Sequence, residues 1–410
     1  MDRISRIRFS SRPAAPSTVS SASNSMRRRD LTKTLLASAA AVGTTRAESA
    51  ADNTPSPLIY AASPRIDPRR YGAVGDGKAD DTHAMQTTLN AAQASNGRIT
   101  IPDDFRMSCG PLTLTISGED ALSNSLAIEG MSMVGSRIIA QPDLRGPLLT
   151  LKSRNPSSQP QPAQLVLENF SLYNHGNSKT PGGHGLSLQG LAWVRLSGLQ
   201  VNGFDIGLQM VDSLTTLMDQ QCQFCGNNMG VAISRRARVQ IANLISLYNC
   251  RISANSQWGV SFSGGSQFVM RGCNLEENGS PNNAASGAFV SGSDLSANFG
   301  FARIELYENW FEANHGLSVN IQPLTSGLMA LAIEGGQIIA SEAGQALAIG
   351  APGKAVHQVM LKNIYSPSAG DTWQIFATYL TLINTLAGNL HIEAAHHTYI
   401  NALSASGLLT

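Results

Sequence analysis

Glu276 and Glu312 occupy the same place in two copies of a short template, "CNLEEN" from Cys273 and "NWFEAN" from Asn309. Two carboxyls held at a fixed separation can cleave a glycosidic bond: one donates a proton to the leaving oxygen, and the other attacks carbon or activates water. Close like charges also push one of the two acids up, which supplies a proton donor. Glu308, one place before Asn309, is a further outward carboxyl. Asp205 in "NGFDIGL" and His184 in "GGHGLSL" precede strand-opening residues and are the next acid–base candidates. A β-eliminating enzyme needs other groups, namely a base and a cation set against a uronate carboxylate. Arg235, Arg236 and Arg238 in "SRRARV", with Arg251 and Arg271 further on, are the cations available to bind such a substrate. Each of these residues also has a plain structural reading: exposed glutamate is common, a histidine can sit in a surface turn, and an arginine run can be a solvated turn.

The elements that must position the carboxyls repeat. "CQFCGN" from Cys222, "CRISAN" from Cys250, "CNLEEN" and "NWFEAN" begin 28, 23 and 36 residues apart. Self-similarity at that period is the mark of a solenoid. The third position is apolar (Phe224, Ile252, Leu275, Phe311) and the sixth is Asn227, Asn255, Asn278 or Asn314. Strand alternation turns the first and third positions inward and the fourth outward. Cys222, Cys250 and Cys273 therefore stack as buried thiols, while Cys225, Ser253, Glu276 and Glu312 share one outer column. On neighbouring strands the two glutamates lie about 5 Å apart. The asparagines suit a turn ladder, since Asn tolerates left-handed backbone and its amide bonds to the turns above and below. The 36-residue gap contains "GSPNNAASGAFVSGSDLSANFG", expected to wall a groove. Weaker copies read as "NFSLYN", "SGLQVNG", "QIIASE" and "NIYSPS". Cys222 and Cys225 face opposite sides of one strand, and no second pair completes a metal site. No metal and no cofactor are expected, with calcium left open for a lyase.

Upstream, "DPRRYGAVGDGKADDTHAMQTTLNAAQASNGRITIP" reads as turn, helix, turn, strand. Ala84, Met85, Leu89 and Ala92 recur at helical spacing, and Asp80 and Asp81 stand where an acid caps a helix. Through Asp67, Tyr71, Gly72, Ala73, Asp76, Gly77, Asp80, Asp81, Thr82, Ala84, Gln86, Gly97 and Pro102, the segment resembles the start of the pectate-lyase-like superfamily. Many polysaccharide enzymes and phage tailspikes share that start, and the "WFE-x-N" coil resembles those of tailspikes. The resemblance implies an all-β chain folded as a single-stranded right-handed parallel β-helix with an N-terminal capping helix. "GGHGLSL" is similar to the Gly-His-Gly segment of polygalacturonases, which implies a positioning role for His184. The Asn-Thr-Asp, Asp-Asp and Arg-x-Lys elements of that family do not occur here in order.

Charge and leader set the context. The chain sums to +1, but residues up to Ala51 hold 9 Lys/Arg and 3 Asp/Glu, leaving 20 basic and 25 acidic residues, a net of −5, in the remainder. A nucleic-acid partner thereby loses its electrostatic support. "MRRRDLTKTLLASAAAVGTTRAESAA" resembles a twin-arginine export signal built on Arg28, Arg29 and Lys33. Residues 1–51 are expected to be that signal, 52–63 a linker and 64–410 the β-helix. The mature protein is expected in the periplasm or outside the cell, without a membrane span, as a monomer rather than a trimer, acting on a polysaccharide. Hydrolase, lyase or epimerase, and a carbohydrate-binding protein without catalysis all remain open at this point. Replacing Arg28 and Arg29 by Lys should hold precursor in the cytoplasm, as read by fractionation; unimpeded export of the double variant sinks the assignment.

Overall fold

"IGLQMV", "MGVAIS" and "WGVSF" alternate apolar and polar residues, and in the structure they lie one above another as parallel strands, Ile206–Val211, Met229–Ser234 and Trp258–Phe262. We call this face sheet 1. Leu191–Ser197, Leu214–Asp219, Asn243–Tyr248 and Gln267–Arg271 stack in the same way as sheet 2. Gln200–Asn202, Gln223–Cys225, Arg251–Ser253, Asn274–Glu276 and Trp310–Asn314 belong to sheet 3. The chain visits sheets 3, 1 and 2 in turn, climbing one strand per circuit, as a single-stranded right-handed parallel β-helix. This computed structural model describes residues 63–116, 125–154, 161–175, 182–234, 243–283, 285–293, 302–323, 329–340, 345–366, 371–404 and 407–409. All of them fall in one unit, Ile59–Thr410. Towards the C-terminus sheets 1 and 2 merge, because the 12-residue strand Thr372–Ile383 continues both.

The interior is the stack of inward columns. Leu172, Val201, Phe224, Ile252, Leu275 and Phe311 are in register on sheet 3, and all are buried. Cys222, Cys250 and Cys273 form the neighbouring inward column as free thiols, as the template requires. Asn309 continues that column: its Oδ1 accepts from the Cys273 N–H at 3.0 Å and its amide donates to the Met270 carbonyl at 3.0 Å. Helix α1, Thr82–Ser95, buries Met85, Leu89 and Ala92 against the first coil.

Four details differ from the sequence expectation. Asp81 does not cap α1 with its side chain; it is buried and accepts from the N–H groups of Val74 and Gly75 at 2.6 and 3.1 Å, closing the preceding turn. Asp80 takes the capping part, accepting from the Thr82 hydroxyl at 2.5 Å and the Thr82 N–H at 2.9 Å, and those bonds, the hydroxyl first, hold its carboxyl below the ordinary carboxylate range. The ladder asparagines are not themselves left-handed: that conformation falls on the residue before each, at Gly226, Ala254, Glu277 and Ala313. The 36-residue gap is no simple loop, because Gly287–Ser293 within it is a regular strand of sheet 1. The upstream weaker copies shift, "NFSLYN" by one residue and "SGLQVNG" by two, so that Phe170 and Leu199 open them.

The ladder carries the corner between sheets 3 and 1. The Asn255 amide donates to the Phe224 carbonyl at 3.0 Å and to Asn278 Oδ1 at 2.8 Å, while Asn255 Oδ1 accepts from the Asn227 N–H at 3.0 Å. Asn255→Ala orphans several buried groups at about 1–3 kcal/mol each. The expected result is a melting midpoint lowered by many degrees; an unchanged midpoint refutes a structural role for the ladder.

Candidate functional site

Strand register decides which side chains share an outer face. On sheet 3, Glu276 and Glu312 are direct partners on adjacent strands, with Ser253 and Cys225 continuing their column. The gap in sequence does not splay the two coils. Glu276 faces Arg251, whose Nη2 lies 3.6 Å from its Oε2, and Glu312 accepts from the Trp310 indole N–H at 2.6 Å. Each carboxylate thus has a partner of its own.

The other sequence candidates are placed as follows. Arg271 donates from Nε to Glu308 Oε2 at 3.0 Å, so these two exposed residues neutralise each other. Asp205 belongs to a turn network: one oxygen accepts from the Gly182 N–H at 2.8 Å and the other from the Asn228 amide at 2.9 Å. His184 is brought close to Asp205; burial lowers its pKa, and the Asp205 charge opposes that shift. Its Nδ1 is buried without a hydrogen-bond partner. Arg235, Arg236 and Arg238 lie outside the described residues. Among the described residues, no group of three or more His, Cys, Asp or Glu is placed to hold a metal ion.

A further constellation lies on sheet 2. Glu129, Glu168, Ser197 and Asp219 follow one another in one outward column. The column beside it supplies Arg98 and Arg195. Arg98 Nη1 is 2.8 Å from Glu129 Oε2, and Arg195 Nη2 is 3.1 Å from Asp219 Oδ2. Glu168 stands between these two ion pairs, half-buried, and burial followed by the Glu129 charge pushes its carboxyl up. Asp219 keeps one carboxylate oxygen, Oδ1, free of any hydrogen-bond partner. Two strand spacings, roughly 9–10 Å, separate the backbones of Glu168 and Asp219. The small Ser197 lies between them, its hydroxyl turned to Gln220 at 2.8 Å. Trp193, two residues before Arg195, is 49 % exposed in a left-handed conformation. The same column runs on through Tyr248, Arg271, Tyr307, Glu334 and Lys362.

The sequence template does not single out this group, because the coils before Cys222 lack the Cys and Asn positions. A signal is present nonetheless. "IEG" at Ile128, "LEN" at Ile-like Leu167 and "MDQ" at Met218 each set an acid between a buried apolar residue and a turn.

The fold, a parallel β-helix, is shared with solved structures. The structure is similar to the Dettilon tailspike protein (TM-score 0.55, 13 % identity, covering 90 % of this chain and 73 % of that one). It is similar to a hyperthermoactive exopolygalacturonase from Thermotoga maritima (0.56, 11 %, covering 84 % and 92 %). An Acinetobacter phage tailspike is also similar (0.53, 11 %, covering 83 % and 62 %). At these identities the likeness establishes the fold and leaves the chemistry to the residues. No family model and no curated protein matches the chain in sequence.

A carboxyl raised by burial favours its protonated form in the fold. Stability from this group is complete below its ordinary value of 4.5 and is lost as pH rises through the raised folded value. Glu168→Gln should therefore flatten the fall in melting midpoint between acid and neutral pH. An identical pH profile in the variant shows that Glu168 is not the strained carboxyl.

Proposed function

We propose that the protein is an exported glycoside hydrolase that cleaves a polysaccharide on the outer face of sheet 2, with Glu168 as general acid and Asp219 as general base. The observation that carries this reading is the position of Glu168, a half-buried carboxyl shifted towards its protonated form by burial and by the Glu129 charge, two strands from a second carboxylate. A carboxyl separation of roughly 6.5–9.5 Å is that of inverting enzymes, where a water must fit between base and sugar. The Glu168 proton passes to the glycosidic oxygen as the bond from that oxygen to the anomeric carbon breaks. Asp219 takes a proton from the water that attacks the anomeric carbon from the opposite face. Arg98 and Arg195 hold Glu129 and Asp219 in place, and the exposed Trp193 offers a sugar ring a stacking surface. The negative charge of Glu129 beside Glu168 helps to keep the acid protonated.

Glu276 and Glu312 form the second reading, favoured by their direct register and their single-strand separation, which suits retention. A β-eliminating reaction has weaker support, since Arg251 and Arg271 are each engaged by a glutamate.

The test is turnover on a panel of neutral and acidic polysaccharides, followed by new reducing ends, ultraviolet absorbance and the anomeric form of the product. Glu168→Gln and Asp219→Asn should each lose a hundredfold or more in rate, since a positioned acid or base contributes about 10²–10⁴. Wild-type activity should decline as pH rises through the raised Glu168 value, and the first product should be inverted. Near-normal turnover in both variants with a loss in Glu276→Gln and Glu312→Gln moves the chemistry to sheet 3. Ultraviolet-absorbing ends indicate a lyase, and no cleavage of any polymer favours a binding protein.

A further inference from the structure

The outer face of sheet 3 has the make-up of a saccharide platform separate from the acids of sheet 2. Trp310 is 43 % exposed on the outer face of sheet 3. Its register neighbours are Asn274 on one side and Gln337 on the other. The indole N–H donates to Glu312 Oε2 at 2.6 Å, two residues along the same strand. A bond to an acceptor two residues along fixes the indole N–H over its own strand, and the ring remains partly exposed to solvent. Arg251 and Glu276 flank Asn274, paired with each other at 3.6 Å, and Asn274 Oδ1 is buried without a hydrogen-bond partner.

We propose that this face binds a neutral hexopyranose chain without cleaving it, one sugar ring stacking on Trp310 while Asn274, Gln337 and Glu312 bond to hydroxyls of that ring and its neighbours. Three features fit this ligand. An exposed indole offers an apolar, electron-rich surface to the C–H face of a pyranose. Side-chain amides and carboxylates provide the donors and acceptors that hydroxyls need. Strands about 4.8 Å apart repeat at close to the length of one pyranose unit, so a chain crossing the strands meets a new row with each sugar. Charge next to Trp310 disfavours a uronate polymer. Glu276 and Glu312 outnumber Arg251 there, and like charge is repelled, while Arg106 and Arg137 stand six or more strands away in the same column.

The inference rests on the reading that the protein handles polysaccharide and cleaves it away from sheet 3, so it stands with the Glu168 and Asp219 assignment and falls if the chemistry belongs to Glu276 and Glu312. It is tested on the Glu168→Gln protein by affinity gel electrophoresis in galactomannan, mixed-linkage β-glucan, dextran and polygalacturonate. The expected result is retardation by at least one neutral polymer and none by polygalacturonate. Trp310→Ala should weaken that retardation several-fold, Trp310→Phe should keep part of it, and Tyr379→Ala, an exposed aromatic outside sheet 3, should leave it unchanged. Equal retardation of the Trp310→Ala protein overturns the proposal, as does retardation by polygalacturonate alone or by no polymer. Because turnover is read separately, transfer of the chemistry to Glu276 and Glu312 is distinguished from failure of the platform to bind.

Discussion

The asparagine ladder is the interaction on which the rest of the molecule depends. At each circuit the chain turns sharply from sheet 3 into sheet 1, which strands backbone groups inside the protein. Asn227, Asn255, Asn278 and Asn314 meet those groups and one another with a repeating set of bonds. The left-handed residue before each asparagine makes the turn, and the fully buried amide pins it to the next coil. The corner tolerates little extra bulk. A Cβ on Gly230 would stand 2.5 Å from the Gly259 carbonyl oxygen and 2.9 Å from the Asn255 amide nitrogen. Since a slip of one residue moves every side chain of a strand to the opposite face, pinning this corner fixes which residues are core and which are outside.

Fixed register converts sequence into chemical spacing. Outer side chains in one column can be separated only by whole strand steps, so carboxyls occur at about 5 Å, about 10 Å, or further. Glu276 and Glu312 take the first distance, as do Glu129 and Glu168; Glu168 and Asp219 take the second. What lies between them then matters as much as the step. Ser197 is small, bonded sideways to Gln220 and fully buried, so the atoms that cover the step between Glu168 and Asp219 come from neighbouring side chains and not from its own.

Much of this architecture was legible from residues 222 to 314, because there the inward Cys column and the Asn ladder repeat with recognisable letters. The coils upstream keep the same positions with different residues. Phe170 and Leu199 stand where cysteine stands later, and Phe204 takes the place of an asparagine while still donating its N–H to Asn227 Oδ1 at 2.9 Å. Packing accepts Phe, Leu or Cys alike at a buried position, so the letters there lose the period while the coordinates retain it. Asp81 shows a different limit. An acid before a helix reads as a cap, and only the path of the preceding turn reveals that its oxygens are taken by Val74 and Gly75.

The two acid pairs show why spacing alone identifies no catalyst. Repeats make distance readable, and the sheet 3 pair could be found for that reason. Protonation depends instead on what surrounds a carboxyl, and those groups come from distant parts of the chain. Glu276 and Glu312 are each supplied with a donor, from Arg251 and from Trp310. Around Glu168 the donors are diverted: Arg98 pairs with Glu129 and Arg195 with Asp219. Glu168 is left partly buried, next to a like charge and without a bond to stabilise its anion. An acid that must give up a proton in a reaction needs that withheld stabilisation. Donors placed two residues aside, on the column next to the acids, therefore shift Glu168 towards its protonated form, while Glu276 and Glu312 each keep a donor of their own.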